Sequence, residues 1–397
     1  MAILTQTRRA LLVGTGTLAG GSLLGALLAA CGQTGTSGSG TAGGATGGAA
    51  VKIGTSFALT GPAAVYGQSQ KNAVQLAAEE INDKNTVPGV KLDVRYEDDA
   101  GDKAAGINVF QKFINQDKVL AIIGPTLSDV ALAADPLAQQ AGVPVLGVSN
   151  TATGVTDIGN FIFRNSLTES VVIPNTVKRT KEKLNLKKVA VLYGNDDAFT
   201  QSGYEEFKKA LDANGVQIAS TQTFSKNDKD YGAQLTQVKG VSPDALVVSA
   251  LIASAVGIVT QARPLLGDSL PIVGGNGFNS PALMQQAGKA ADGVVVGAAW
   301  NIAAANAKSQ AFIAAYKAKY SADPDQFAAQ AYTGLYILAE AVKRAGANPS
   351  RDALRKAMGE IKGLSTPLGS FSFTAGRDAD HPPVVQLVKD GKFTVLE

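Results

Sequence analysis

Cysteine and histidine are almost missing from this sequence. Of 397 residues, one is cysteine, Cys31, and one is histidine, His381. A single cysteine excludes any intrachain disulfide, and the two together cannot build a Cys/His metal cage. A hydrolase with a Ser or Cys nucleophile has only His381 as a base, beside Pro382 and Pro383 in a turn-like stretch. His381 is therefore assigned no role. No EF-hand spacing and no Walker phosphate loop is present, so the one metal option left open is an Asp/Glu cation site, and no cofactor is expected. Charge is scarce too. Charged residues make up 17% of the chain and the net charge is +3, with Arg8 and Arg9 supplying two of those positives. That argues against a nucleic-acid partner. What is abundant is apolar side chain, 45% of 397 residues, enough for two domains with cores of their own.

The first 30 residues read as an address. Arg8-Arg9 precedes an apolar, glycine-rich stretch that ends Leu28-Ala29-Ala30-Cys31. A membrane-spanning helix is the competing reading, since the run nears the ~20 residues a bilayer needs. The last four residues resemble the bacterial lipoprotein lipobox, which implies cleavage before Cys31 and lipid attached to it. Arg8-Arg9 leaves both general and twin-arginine export open. Residues 33–50 contain only Gly, Thr, Ser, Ala and Gln, so 31–50 is expected to be a flexible tether.

The body is organised around residues 119–153. Apolar runs at 119–123 and 143–148 flank a helical stretch at 129–140, a βαβ unit with a parallel sheet. Loops after the strands of such a sheet line its ligand crevice. Here they carry Thr126 and Ser128, then Ser149, Thr151 and Thr153, and a helix N-terminus beside them suits an anion. Strand and helix patterns alternate before this unit, from 51 to 116. They restart near residue 170 and run to 299, so two sheets are expected, with a switch at 164–170. Helices are expected at 310–320, 326–345 and 351–358, then short strands to the end, with a turn at 378–383.

Several segments converge on one family. They are Ala58-Leu59-Thr60-Gly61-Pro62 followed by Tyr66-Gly67, Glu97-Asp98-Asp99, Ile122-Ile123-Gly124-Pro125, and Ser149-Asn150-Thr151-Ala152-Thr153. Tyr193, Asp197-Ala198-Phe199, Gly274-Gly275-Asn276-Gly277-Phe278, Ala329 and Tyr332 follow. In order and spacing the chain resembles type I periplasmic binding proteins of the branched-chain amino-acid ABC-transporter family. The resemblance implies an α/β fold of two Rossmann-like lobes with parallel-sheet cores, joined by three crossover segments. Lobe one would be 51–164 and 300–365, and lobe two 165–299 and 366–397. It also implies an exported, lipid-anchored receptor, not an enzyme. Such a receptor closes on a small Leu/Ile/Val-like amino acid and serves ABC permease and ATPase subunits. A monomer is expected.

The site residues carried over by that resemblance are Tyr66, Thr126, Ser128, Thr151, Thr153, Phe199 and Asn276. Ser128 would take a ligand carboxylate through its hydroxyl and amide. The Thr151 carbonyl would take an ammonium, and Thr153 would complete the grip. Tyr66 and Thr126 would line the lobe-one wall. Phe199 stands where the family usually has Tyr, and Asn276 where it has an acid that neutralises the ammonium. Glu97, Asp196 and Asp197 are the acids that could substitute. Each residue also has a plain alternative: Ser128 as a helix cap, Thr151 and Thr153 as turn residues, Tyr66 as a loop aromatic, Phe199 as core, Asn276 as a turn former. A neutral amide or a carboxylic acid lacking the amine therefore stays open as the ligand. A clamshell sensor stays open as the function, with a hydrolase on the same scaffold behind it.

Overall fold

The computed structural model describes residues 49–303 and 306–396. Residues 1–30, Cys31 and most of the expected tether lie outside them. The tether's last two residues do not: Ala49 and Ala50 begin β1 (Ala49–Phe57). They pair with Val90 and Lys91, and the Ala49 amide donates to Gly89 O at 2.9 Å. The neighbouring strand starts early enough to extend the ladder over these small residues.

In the first lobe β1 is joined by β2 (Val90–Asp98), β3 (Ala121–Ile123), β4 (Val145–Gly147) and β5 (Ile162–Arg164). The strand order is β2-β1-β3-β4-β5. The links between strands include α1 (Ala64–Asp83), α2 (Lys103–Lys112) and α3 (Ser128–Gln140). The second lobe contains α4 (Glu169–Leu184), β6 (Lys188–Gly194), α5 (Ala198–Ala213), β7 (Gln217–Phe224) and α6 (Gly232–Gly240). It continues through β8 (Ala245–Ser249), α7 (Ile252–Leu266), β9 (Ile272–Gly274), α8 (Ala282–Ala287) and β10 (Val294–Ala298). The chain then returns to lobe one as α9 (Ala307–Tyr320), α10 (Gln326–Ala345) and α11 (Arg351–Gly359). Next come β11 (Leu364–Thr366), β12 (Gly369–Phe373) and β13 (Ala379–Asp380), then β14 (Val384–Lys389) and β15 (Lys392–Val395). The second sheet runs β15-β14-β10-β9-β8-β6-β7, parallel except for the two last strands of the chain. The chain thus crosses between lobes after β5, after β10 and after β13.

Parallel strands covered on both faces read as unbroken apolar runs. In β6, Val189 and Val191 pack with Ile173 of α4 and Phe207 of α5. Ala190 and Leu192, pointing the other way, pack with Leu235 of α6 and Ile258 of α7. In lobe one, Ile53 and Ile123 meet Val74 of α1 and Leu338 of α10, while Ile122 and Val145 meet Phe110 and Ala134. Asp325 starts α10 by accepting from the Ala328 amide at 2.8 Å. The helix expected to reach 116 is α only to Lys112, and a π turn, Phe113–Asp117, completes it. That wider turn seats the Phe113 ring on β1, where a Cβ on Gly54 would lie 2.8 Å from it.

The tail corrects one expectation. Residues from 366 on do not all belong to lobe two. Phe371 and Phe373 are fully buried in the lobe-one core, with Phe373 edge-on to Phe163 at 5.2 Å. The turn before β13 covers the open edge of β5: the Arg164 amide donates to Arg377 O at 3.1 Å, and its Nε to Asp378 at 2.5 Å. Only β14 and β15 join the second sheet. The stretch 378–383 is not simply a turn, since it contains β13. His381 is buried in the third crossing near Phe371, and burial lowers its pKa to about 4. No helix among the described residues is long and apolar enough to cross a membrane.

Candidate functional site

The crevice between the two sheets is built first from the lobe-one loops. β3 stops at Gly124, whose φ is +110° and where a Cβ would lie 2.1 Å from Ser56 O, so only glycine fits this exit. The loop delivers α3 with its start facing the cleft. The first backbone bond there runs from Ala131 N to Leu127 O, leaving the amides of Ser128, Asp129 and Val130 ahead of the helical ladder. Ser128 Oγ accepts from the amides of Thr151 and Ala152, at 3.2 and 3.3 Å. A hydroxyl accepting twice still has its own hydrogen to donate. Ser128 sits one residue inside the cap position and caps the neighbouring loop rather than its own helix.

A cavity of about 20 Å³ lies here, lined by Tyr66, Thr126, Leu127, Ser128 and Ser149 from lobe one and lobe-two residues opposite. Those are Phe199, Leu251, Asn276 and Gly277, with Phe327 from the start of α10. Its size suits about one water. An amino-acid side chain enters only if the lobes part or the lining moves. Apolar packing continues across the cleft, since Ala58, Ala63, Tyr66 and Phe327 share a buried cluster with Ile252 and Phe278.

Polar links also cross it. Tyr66 Oη donates to Gly277 O at 2.5 Å and accepts from the Ile252 amide, the first of α7, at 2.8 Å. Burial pushes the Tyr66 hydroxyl well above its usual range, so it stays protonated. Gln326 Nε2 donates to Asn276 Oδ1 at 2.6 Å. Asp129 Oδ1 accepts from the Ala198 amide at 2.9 Å. Thr151 Oγ1 donates to Glu169 Oε1 at 2.8 Å, and the Glu169 amide donates to Thr151 O at 3.2 Å. The Asn276 loop is tied to the second crossing as well. Asn301 donates to Gln386 at 2.6 Å, Gln386 donates to Asn279, and Asn279 Nδ2 donates to Asn276 O at 3.1 Å.

Five of the seven residues singled out from the sequence therefore line one cavity: Tyr66, Thr126, Ser128, Phe199 and Asn276. Thr126 is there with its hydroxyl committed, donating to Gln70 at 2.7 Å and accepting from the Ala58 amide at 3.0 Å. Thr151 and Thr153 lie beside the cavity. Thr151 spends its hydroxyl on Glu169 and its carbonyl on the Glu169 amide, and Thr153 is exposed and bonded to Ser202 at 3.0 Å through its amide. Cys31 lies outside the described residues. The three acids considered as substitutes for Asn276 are engaged elsewhere. Glu97 pairs with Lys112, Asp196 accepts from the Lys226 amide at 2.9 Å, and Asp197 caps α5 by accepting from Thr200 N at 3.0 Å. Burial raises Asp197 to about 6, and does the same to Asp325.

Sequence reasoning missed Leu251, Phe327, Gln326 and Glu169. Leu251 lies two residues past the end of β8, in the kind of strand-to-helix loop that found the others. Phe327 and Gln326 follow the Asp325 cap, but nothing in the sequence says that this first turn faces the cleft. Glu169 opens α4 and reads as an ordinary helix-start acid. In the structure it is 1% exposed, Oε2 has no hydrogen-bond partner, and burial raises its pKa to about 7.

A family model described as Periplasmic binding protein matches residues 50–392. The structure is similar to the branched-chain amino acid transporter substrate binding protein LivJ from Streptococcus pneumoniae, solved with isoleucine. Identity is 30%, the TM-score is 0.82, and the match covers 87% of this chain and 97% of that one. It is also similar to an ABC-transporter solute binding protein from Rhodopseudomonas palustris, solved with 3,4-dihydroxybenzoic acid. There identity is 28% and the TM-score 0.79, covering 87% and 95%. In sequence it is 26% identical over 351 residues to the leucine-, isoleucine-, valine-, threonine- and alanine-binding protein of Pseudomonas aeruginosa. That match covers 87% of this chain and 89% of the relative.

Proposed function

The chain belongs to the periplasmic binding protein family, in its type I branch of branched-chain amino-acid transporters, and from that premise we propose an extracytoplasmic receptor for a small amino acid of the Leu/Ile/Val kind. It delivers that ligand to the permease and ATPase subunits of an ABC importer. The observation that carries this reading is Ser128. Its hydroxyl hydrogen and the amides at the start of α3 form a donor group for a carboxylate, next to an apolar wall of Phe199, Leu251 and Phe327. The ligand reaches the site by hinge motion of the lobes about the three crossings, and the links through Tyr66 and Asn276 re-form or are replaced around it. The chain binds and releases, and no catalytic role is assigned to any residue. Export and a lipid on Cys31 hold the receptor at the membrane. Mass spectrometry of the membrane fraction should find a lipid-modified Cys31 as the mature N-terminus, and a chain still starting at Met1 in the cytoplasm would overturn the anchor.

One observation favours a second ligand class. Asn276 is neutral and bonded to Gln326, and the wall is aromatic, which suits a carboxylic acid with an apolar ring and no amine. A thermal-shift panel separates the two. It holds leucine, isoleucine and valine, their deaminated acids and amides, and benzoate with its hydroxylated forms. A rise in melting temperature with the branched amino acids supports the first reading, and a rise with the acids alone supports the second. No shift with any of them would remove the receptor reading.

A further inference from the structure

Gln326 lines a second cavity, of about 200 Å³, that shares no lining residue with the cleft cavity. Its side chain joins the two, because Nε2 donates to Asn276 Oδ1 at 2.6 Å. Residues 300–302 of the second crossing form one wall of this second cavity, and residues 323–326, leading into α10 of lobe one, form another. Lobe two supplies Pro281, Met284, Gln386, Lys392 and Phe393. The body of the cavity is apolar, with Trp300, Ile302, Met284 and Phe393 around it. An apolar cavity of about 150 Å³ holds a benzene ring. A single flat ring with one short substituent is therefore the size that fits here.

The polar lining sets the substituent. Asn301, Gln326 and Gln386 are buried. Each spends one amide hydrogen, on Gln386, Asn276 and Asn279 in turn, and among the described residues nothing takes the second. Buried N–H groups without acceptors are costly, so three of them on one cavity favour an occupant that brings oxygen acceptors. The acids on the lining are already engaged. Asp323 pairs with Lys317 at 2.5 Å, and Asp325 accepts from Ser69 Oγ at 2.5 Å and from the Ala328 amide at 2.8 Å. Lys392 is exposed and has no ion-pair partner among the described residues. Spare donors on buried amides and an exposed cation beside them suit a carboxylate.

We propose that this cavity is an effector site for a small carboxylate with a flat apolar body, and that its occupant favours the arrangement in which the lobes touch. Both lobes and the crossing supply contacts, so the occupant gains all of them only while those walls meet. It therefore strengthens the Gln326–Asn276 link and, through it, the contact across the cleft. The proposal does not depend on which ligand the cleft takes.

Phenylacetate is the probe, and phenylacetamide, of the same shape without the charge, is its control. Trp300 is the only tryptophan of the chain, so its emission follows the cavity directly. The wild type should bind phenylacetate about tenfold more tightly than phenylacetamide, and Lys392→Gln should bind the two alike. A probe held in the cleft cavity would not register Lys392, which is not part of that lining. At a free concentration of about ten times its dissociation constant, phenylacetate should slow hydrogen exchange at the Ile252 amide, which Tyr66 Oη holds across the cleft, by about tenfold. No saturable change in emission below about 10 mM, equal affinity of the wild type for the two probes, or a preference that survives in Lys392→Gln overturns the site. The comparison within the wild type stands even if the variant folds poorly. Binding that leaves the Ile252 exchange rate unchanged overturns the effector role.

Discussion

Tyr66→Phe isolates one bridge between the lobes. The Tyr66 ring packs on Phe327 with centroids 4.4 Å apart, and Phe keeps that contact. What disappears is the hydroxyl, and with it the partner of the Gly277 carbonyl at 2.5 Å and of the Ile252 amide at 2.8 Å. Both groups lie where Tyr66 is 2% exposed, so little water reaches them while the lobes stay in contact. A buried polar group left unpaired costs about 1–3 kcal/mol, so losing the partner of both should weaken the contact arrangement by about 2–6 kcal/mol in total. With the lobes apart both groups regain water and nothing is lost. The ratio of separated to contacting lobes should therefore rise by a factor of roughly thirty at the least and about twenty thousand at the most. Small-angle scattering without added ligand should give a larger radius of gyration for the variant. Hydrogen exchange at the Ile252 amide should accelerate by a similar factor, up to the limit set by local opening. A variant matching the wild type in both measurements would show that the Tyr66 bridge does not hold the lobes together.

Three further outcomes are expected. Glu169 sits at about 7 against an ordinary 4.5, so its contribution to stability is complete below pH 4.5 and is lost as pH rises through 7. The unfolding midpoint should fall from pH 5 to pH 8 by an amount corresponding to about 3 kcal/mol at most, and Glu169→Gln should flatten that fall; a wild-type midpoint that rises over this range would contradict the burial argument. Asp135 is 1% exposed, its Oδ1 has no partner, and burial raises its pKa. Asp135→Asn should therefore raise the melting temperature more at pH 8 than at pH 5, as read by circular dichroism. Gly277→Ala would put a Cβ 2.2 Å from Ala250 O and 3.2 Å from the Phe199 ring; it should displace the Asn276 loop and weaken ligand affinity at least tenfold by calorimetry, with a lower melting temperature.

The layers of this fold were legible because parallel strands announce themselves. Runs such as Val189 to Leu192 are apolar at every position, and each alternate residue belongs to a different face. The two-lobe organisation followed from the restart near residue 170. What periodicity did not carry was long-range partnership. Phe371 and Phe373 look like any strand residues, and their place in the lobe-one core depends on β5 lying beside them 210 residues earlier in the chain, at Phe163 against Phe373. The site divides in the same way. Tyr66, Thr126, Ser128, Phe199 and Asn276 lie on loops that leave strand ends or on the helix starts that follow, and those positions are marked by local sequence. Gln326, Phe327 and Glu169 come from helix starts that reach the cleft only through the crossings. Thr151 and Thr153 were legible as loop hydroxyls, but their partners Glu169 and Ser202 are lobe-two residues that no local pattern pairs with them.

The claim that Ser128 and the start of α3 grip a ligand carboxylate between the lobes is tested most directly by titrating L-leucine into the wild type and Ser128→Ala. The account predicts one site per chain in the wild type. It predicts a loss of roughly 1–3 kcal/mol in the variant, about fivefold to somewhat over a hundredfold in affinity. Leucine binding with equal affinity to both proteins would return Ser128 to a purely structural role, holding the Thr151 loop, and would contradict the site as described.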